Sequence, residues 1–140
     1  MKKIVGISMV FLLLIFFAMP VYASDLVVTS GFVPQYKAIM QMSGGLSIDS
    51  WGKTTCSGSV SPQRDSYTSY LTVTLQKHTS SGWSGIKSWD ISGEGLLGAN
   101  FEGHYYVGEG TYRVRSTASI YDSSGELLET ESLYSEEREY

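Results

Sequence analysis

A chain of 140 residues with 10 basic and 14 acidic side chains carries a formal charge of −4, which argues against a nucleic-acid or anionic-membrane partner, since both favour a basic surface. Its one cysteine, Cys56, excludes an intramolecular disulfide, so packing and hydrogen bonding must hold the fold. With 15 glycines and a 42% hydrophobic share, the composition fits one modest core cut by many turns.

The chain starts with Lys2 and Lys3, an apolar run from Ile4 to Met19, and the small-residue stretch Val21-Tyr22-Ala23-Ser24. A charged start, an apolar middle and small residues before a cut are the parts of a secretory signal peptide. The run contains Ser8 and falls short of the roughly 18 to 20 residues that cross a bilayer comfortably. Residues 1–23 therefore read as a cleaved signal peptide, and the protein as secreted and extracellular, with no membrane insertion afterwards. Removal of residues 1–23, which carry two lysines and no acid, leaves 117 residues with eight basic and 14 acidic side chains, a formal charge of −6. Residues 24–35 read as an N-terminal arm, 36–135 as one domain and 136–140 as a solvated, partly disordered acidic tail. Cys56 lies too far past the cut to anchor a lipid and has no neighbouring histidine to hold a thiolate. It reads as a small buried hydrophobe.

Beyond residue 35, clusters of Gly, Ser, Asp and Pro alternate with segments of two-residue period, such as Leu71-Thr72-Val73-Thr74-Leu75 and Tyr112-Arg113-Val114-Arg115-Ser116. The pattern predicts strands over 36–48, 53–60, 67–78, 83–91, 97–107, 111–121 and 127–135. Seven strands joined by short turns point to an all-β fold, an antiparallel β-sandwich of immunoglobulin or fibronectin type, with a jelly roll or small barrel as the alternative. Gly110-Thr111-Tyr112 places a tyrosine at the start of the sixth strand, the position of a tyrosine corner, and in that register Cys56 would face Val114. Trp83 and Trp89 would share one face of the fourth strand unless a bulge intervenes, and at least one is expected in the core. For the last hairpin, a three-residue loop Ser123-Ser124-Gly125 pairs Asp122 with Glu126 and Ile120 with Leu128. That register turns Leu128, Thr130, Ser132 and Tyr134 inward, and sets Glu129 and Glu131 outward as ion-pair partners of Arg113 and Arg115.

Chemistry-bearing motifs are missing: there is no HExxH, paired CxxC, GxSxG or phosphate-cradling loop. Asp122-Ser123-Ser124-Gly125-Glu126 has oxygen ligands at calcium-like spacing, but a plain hairpin turn accounts for it. No catalytic residue, metal or cofactor is implied, and a monomer is expected. Aromatics remain, with 10 Tyr and three Trp. If strands three, six and seven share a sheet, its outer surface collects Tyr70, Arg113, Arg115 and Tyr121, the candidate binding residues, with Glu129 and Glu131 beside them. Turns around Trp51 or Trp83 are the other candidate platform.

The order Leu46-Ser47-Ile48, Cys56-Ser57-Gly58-Ser59-Val60, Val73-Thr74-Leu75-Gln76-Lys77, Gly82-Trp83 with Trp89, and Gly110-Thr111-Tyr112-Arg113-Val114-Arg115 resembles a family of small secreted Gram-positive bacterial proteins of unknown function. The resemblance spans roughly residues 36–135 and implies a single secreted β-sandwich without an assigned activity. The expected function is non-enzymatic binding of an extracellular or cell-surface partner, either a protein or a cell-wall glycan. A secreted effector, such as a bacteriocin-like toxin or an enzyme inhibitor, is the alternative.

Overall fold

The computed structural model describes residues 35–140. The expected signal peptide and all but the last residue of the expected arm lie outside them. The described chain forms eight strands: β1 (Ile39–Ile48), β2 (Lys53–Pro62), β3 (Thr68–Thr79), β4 (Gly82–Glu94), β5 (Ala99–Tyr106), β6 (Thr111–Tyr121), β7 (Leu127–Tyr134) and β8 (Arg138–Glu139). They build two antiparallel sheets, one ordered β1-β2-β5 and the other β4-β3-β6-β7, with β8 pairing β6. Because β4 pairs β3 instead of β5, the order is that of a fibronectin-type sandwich, not that of an antibody constant domain, whose fourth strand pairs the fifth. Each of the seven strands expected from the two-residue period is present.

Alternation explains how these strands make a core. Along β2 the residues Thr54, Cys56, Gly58, Val60 and Pro62 are buried and those between them are not, and along β6 Tyr112, Val114, Ser116, Ala118 and Ile120 are buried in the same way. With Leu71, Val73 and Leu75 of β3 and Ile39 and Leu46 of β1 they form the apolar interior between the sheets. The sheets approach closely where Gly44 of β1 pairs Gly58 of β2. A Cβ on Gly58 would lie 2.6 Å from Val73 Cγ2, and one on Gly44 would lie 2.8 Å from Ser116 Oγ. Only glycine admits that approach.

Tyr112 is 1% exposed, and its hydroxyl donates to the carbonyl of Gly108 at 2.7 Å. This is the expected tyrosine corner, fastening the start of β6 to the turn before it. Cys56 and Val114 are both fully buried. The Cys56 thiol is pushed to a higher pKa by burial, against a smaller opposing effect of Thr54, 3.6 Å from its sulfur.

Two expectations need correction. The hairpin loop is as expected, with Asp122 N–H donating to Glu126 O, Gly125 N–H donating to Asp122 O and Gly125 at φ 85°. Beyond it, however, Tyr121 pairs Leu127 whereas Ile120 pairs Glu129, so Leu128 is an extra, bulged residue. Leu128 still packs on the core. From there the parity reverses: Thr130, Ser132 and Tyr134 face outward, and Glu129 and Glu131 do not oppose the arginines. An inward Glu129 is tolerated because its carboxylate is fully occupied. It accepts the backbone N–H groups of Lys37 at 2.9 Å, Ala38 at 2.8 Å and Ile39 at 2.9 Å, closing the gap between the edges of the two sheets. The second correction concerns residues 136–140, which are exposed but paired: Thr111 pairs Glu139, Tyr112 pairs Arg138, and Gly110 and Tyr140 exchange two backbone hydrogen bonds. Backbone pairing, indifferent to the acidic side chains, orders this end.

Candidate functional site

The outer face of the β4-β3-β6-β7 sheet gathers the candidate residues. Across β3 and β6, Thr68 pairs Tyr121, Tyr70 pairs Ser119, Thr72 pairs Thr117, Thr74 pairs Arg115 and Gln76 pairs Arg113. At one end, Tyr70 and Tyr121 meet edge to face with ring centroids 5.3 Å apart, a favoured aromatic geometry. Tyr70 is 52% exposed. It borders two open hollows, one of about 510 Å³ shared with Tyr121, Asp122 and Ser123, and one of about 290 Å³ shared with Thr72, Asp90 and Ser92.

At the other end, the Arg113 guanidinium lies between two rings, 4.2 Å from the centroid of Trp83 and 4.1 Å from that of Tyr134. A planar cation stacked on both sides gains quadrupole attraction from each ring. Its Nε donates to Gln76 Oε1 at 2.9 Å, and the assembly leaves Gln76 only 6% exposed. Arg115, two residues on, sits between Thr74 and Tyr134 in the sheet. Its Nε is buried and has no hydrogen-bond partner.

Between the two ends runs a ladder of hydroxyls. Thr74 and Ser88 lie 2.9 Å apart, Thr117 and Ser132 2.7 Å, and Ser119 and Thr130 2.9 Å, while Thr72 donates to Asp90 at 2.6 Å. Cross-strand pairing of this kind stiffens the surface. From Arg113 to Tyr121 the face extends about 26 Å, at 3.3 Å per residue.

The four candidates Tyr70, Arg113, Arg115 and Tyr121 thus share one face. Glu129 and Glu131 do not join it, and the expected cross-strand ion pairs with Arg113 and Arg115 are replaced by stacking on Trp83 and Tyr134. Among the described residues the ion pair present is Arg138–Glu136, at 2.8 Å on the surface. Trp83 and Tyr134 reach the face through two bulges. In β4, Leu75 pairs Lys87 whereas Gln76 pairs Gly85, so Ile86 is extra. That single insertion sends Trp83 outward and leaves Trp89 inward, where it packs 5.1 Å from Phe101. Gly85 within the strand and the doublet Leu127-Leu128, which breaks alternation, are the sequence signals for the two bulges. The other candidate platform is separate: Trp51 is 82% exposed in the β1–β2 turn.

Asp122 holds no ion-like arrangement. Its Oδ1 accepts from Ser124 Oγ at 2.7 Å, Ser124 N at 2.8 Å and Glu126 N at 3.0 Å, which together hold the carboxyl below its ordinary pKa. Among the described residues no cluster of His, Cys, Asp and Glu is placed to hold a metal, and no helix is long and apolar enough to cross a membrane.

No family model matches the chain, and no curated relative does. Among solved structures it is similar to the solution structure of CsgH from R. palustris, at 14% identity over 68% of this chain and 89% of that one, with a TM-score of 0.35. Superposition at that level bears on neither topology nor function.

Proposed function

We propose that the protein is a secreted, non-enzymatic binding module, akin to the small Gram-positive proteins it resembles, and that it engages a cell-surface or extracellular partner through the outer face of its four-stranded sheet. The observation that carries the reading is the convergence of exposed Tyr70, half-buried Tyr121 and Arg113 beside two rings on one hydroxyl-lined surface. Aromatic rings and unpaired guanidinium groups supply large contact area and directional donors at small entropic cost. The reading assigns no catalytic residue. A partner is sought by incubating purified protein with isolated cell walls and with culture filtrate. The variant carrying Tyr70→Ala, Arg115→Ala and Tyr121→Ala is expected to fold and to bind at least tenfold more weakly, about 1.4 kcal/mol. Unaltered binding by that folded variant would move the site to the turn around Trp51.

A further inference from the structure

The first residues of β1 are fastened differently from the rest of their sheet. Met40 is an extra residue between the pairs Ile39–Pro62 and Gln41–Ser61, and Pro62 has no N–H to give to the ladder. From Tyr36 to Ile39 two residues replace the regular pairing. On one side Gln63 takes the carbonyls: its Nε2 donates to Tyr36 O at 3.3 Å and to Ile39 O at 3.1 Å, and its backbone N–H donates to Ala38 O at 2.8 Å. On the other side the N–H groups of Lys37, Ala38 and Ile39 converge on the Glu129 carboxylate, as successive amides converge on a bound anion. Gln63 does not titrate, so Glu129 is the one fastening that pH can undo. The segment also covers the apolar interior, with Ala38 3% and Ile39 1% exposed.

We propose that Tyr36–Ile39 is a strap released by acid: the Glu129 carboxylate holds it down, and protonation of that group lets it lift from β7 while the two sheets stay folded. This goes beyond the binding reading and is independent of it. Both carboxylate oxygens accept N–H groups, Oε1 from Lys37 and Oε2 from Ala38 and Ile39. A proton on either oxygen therefore meets donors and no acceptor, and the bonds that remain lose the assistance of charge. Lys37 on the strap is the charge that acts on the group. Gln63 is neutral, Ile120 and Ala118, the β6 residues paired with Glu129 and Glu131, carry no charge, and Glu131 is the next acid along β7. Burial raises the Glu129 pKa, but the three N–H groups and Lys37 lower it further, to below its ordinary value. The strap is thus fastened above that value and freed as the pH falls beneath it. From Gln41 to Ile48, β1 pairs β2 without interruption and without Glu129, so the sheet outlasts the release. Release uncovers the interior beneath Ala38 and Ile39 and the free edge of β7.

The test is amide hydrogen exchange of the purified protein from pH 7 to pH 3, read by NMR as protection factors, with titration of the Glu129 carboxyl carbon in the same samples. Protection of the Ala38 and Ile39 amides is expected to fall about tenfold or more in step with the Glu129 titration, while Leu71 and Val73 in the central strand β3 keep theirs. Glu129→Gln, which cannot titrate, should show the weakened strap already at pH 7 with no further change on acidification, and Glu131→Gln should leave the transition in place. Strap amides that stay protected after Glu129 has titrated would overturn the proposal, because the carboxylate would then not be the fastening. Loss of protection at Ala38, Ile39, Leu71 and Val73 together would overturn it as well, since that is unfolding of the whole sandwich. A fall in strap protection that persists in folded Glu129→Gln would assign the release to another group, and if that variant does not fold, the paired titration of the unaltered protein decides alone.

Discussion

Tyr112 and Glu129 show how single side chains hold this sandwich together at places the strand ladders leave open. The Tyr112 hydroxyl is the one polar group of a buried ring, and its bond to Gly108 fixes the turn that launches β6. Tyr112→Phe keeps the packing and deletes the bond, so chemical denaturation should show a loss of roughly 1 kcal/mol. Glu129 acts between the sheets. Burial alone raises the pKa of its carboxyl, but the backbone N–H groups of Lys37, Ala38 and Ile39 and the charge of Lys37 outweigh it, and the group ends below its ordinary value. A carboxyl depressed in the folded state contributes stability that is present above its unfolded pKa, about 4.3, and is lost as the pH falls through the folded pKa. Glu129→Ala should therefore cost about 1 kcal/mol at pH 7, since solvent screens this largely exposed carboxylate, with the gap to the unaltered protein narrowing below pH 4. A gap that is constant from pH 7 to pH 3 would show that the carboxylate is not the source. The tyrosine was legible in the sequence because a corner needs only a Gly-bounded turn and one strand. Glu129 was not, since its partners lie some 90 positions earlier in the chain and pairing alone makes an inward acid look prohibitive.

Strand existence is written locally, but strand register is not. The two-residue period of β2, β3 and β6 reads directly as one inward face, and the structure follows it. In β4 and β7 one inserted residue each, Ile86 and Leu128, reverses the parity partway along. Those reversals decide the surface: they bring Trp83 and Tyr134 to either side of Arg113, and they turn Glu129 from a surface ion pair into an edge clamp. Deleting Leu128 should leave a continuous ladder in which Glu129 still pairs Ile120 and Tyr134 still pairs Arg115. Trp83 fluorescence should then be unchanged, and thermal melting should report only the loss of the Leu128 side chain from the core. β8 makes the same point at the other end of the chain. Removing residues 136–140 breaks the two bonds between Gly110 and Tyr140 beside the tyrosine corner, and should cost roughly 1 to 2 kcal/mol. Hydrogen exchange of the Gly110 amide should quicken, whereas a free tail would be removed without effect.

Across the whole molecule, the order β1-β2-β5 against β4-β3-β6-β7 leaves two broad faces of different character. The three-stranded sheet presents small polar residues such as Ser43, Ser57 and Ser59. The four-stranded sheet concentrates rings and arginines at its ends, and its hydroxyl ladder keeps the middle flat and stiff. Placing Tyr70, Arg113, Arg115 and Tyr121 together required only parity and the knowledge that strands three and six are neighbours. The stack that defines the arginine end required the bulges, whose cause lies in packing between strands. Binding depends on which face meets the partner. Its most direct test is to map amide and side-chain NMR shifts of the labelled protein on adding solubilised cell-wall polysaccharide: changes at the Trp83 indole, the Arg113 and Arg115 Nε–H groups, Tyr70 and Tyr121 are expected, and changes confined to β1, β2 and β5 or to the Trp51 turn would contradict it.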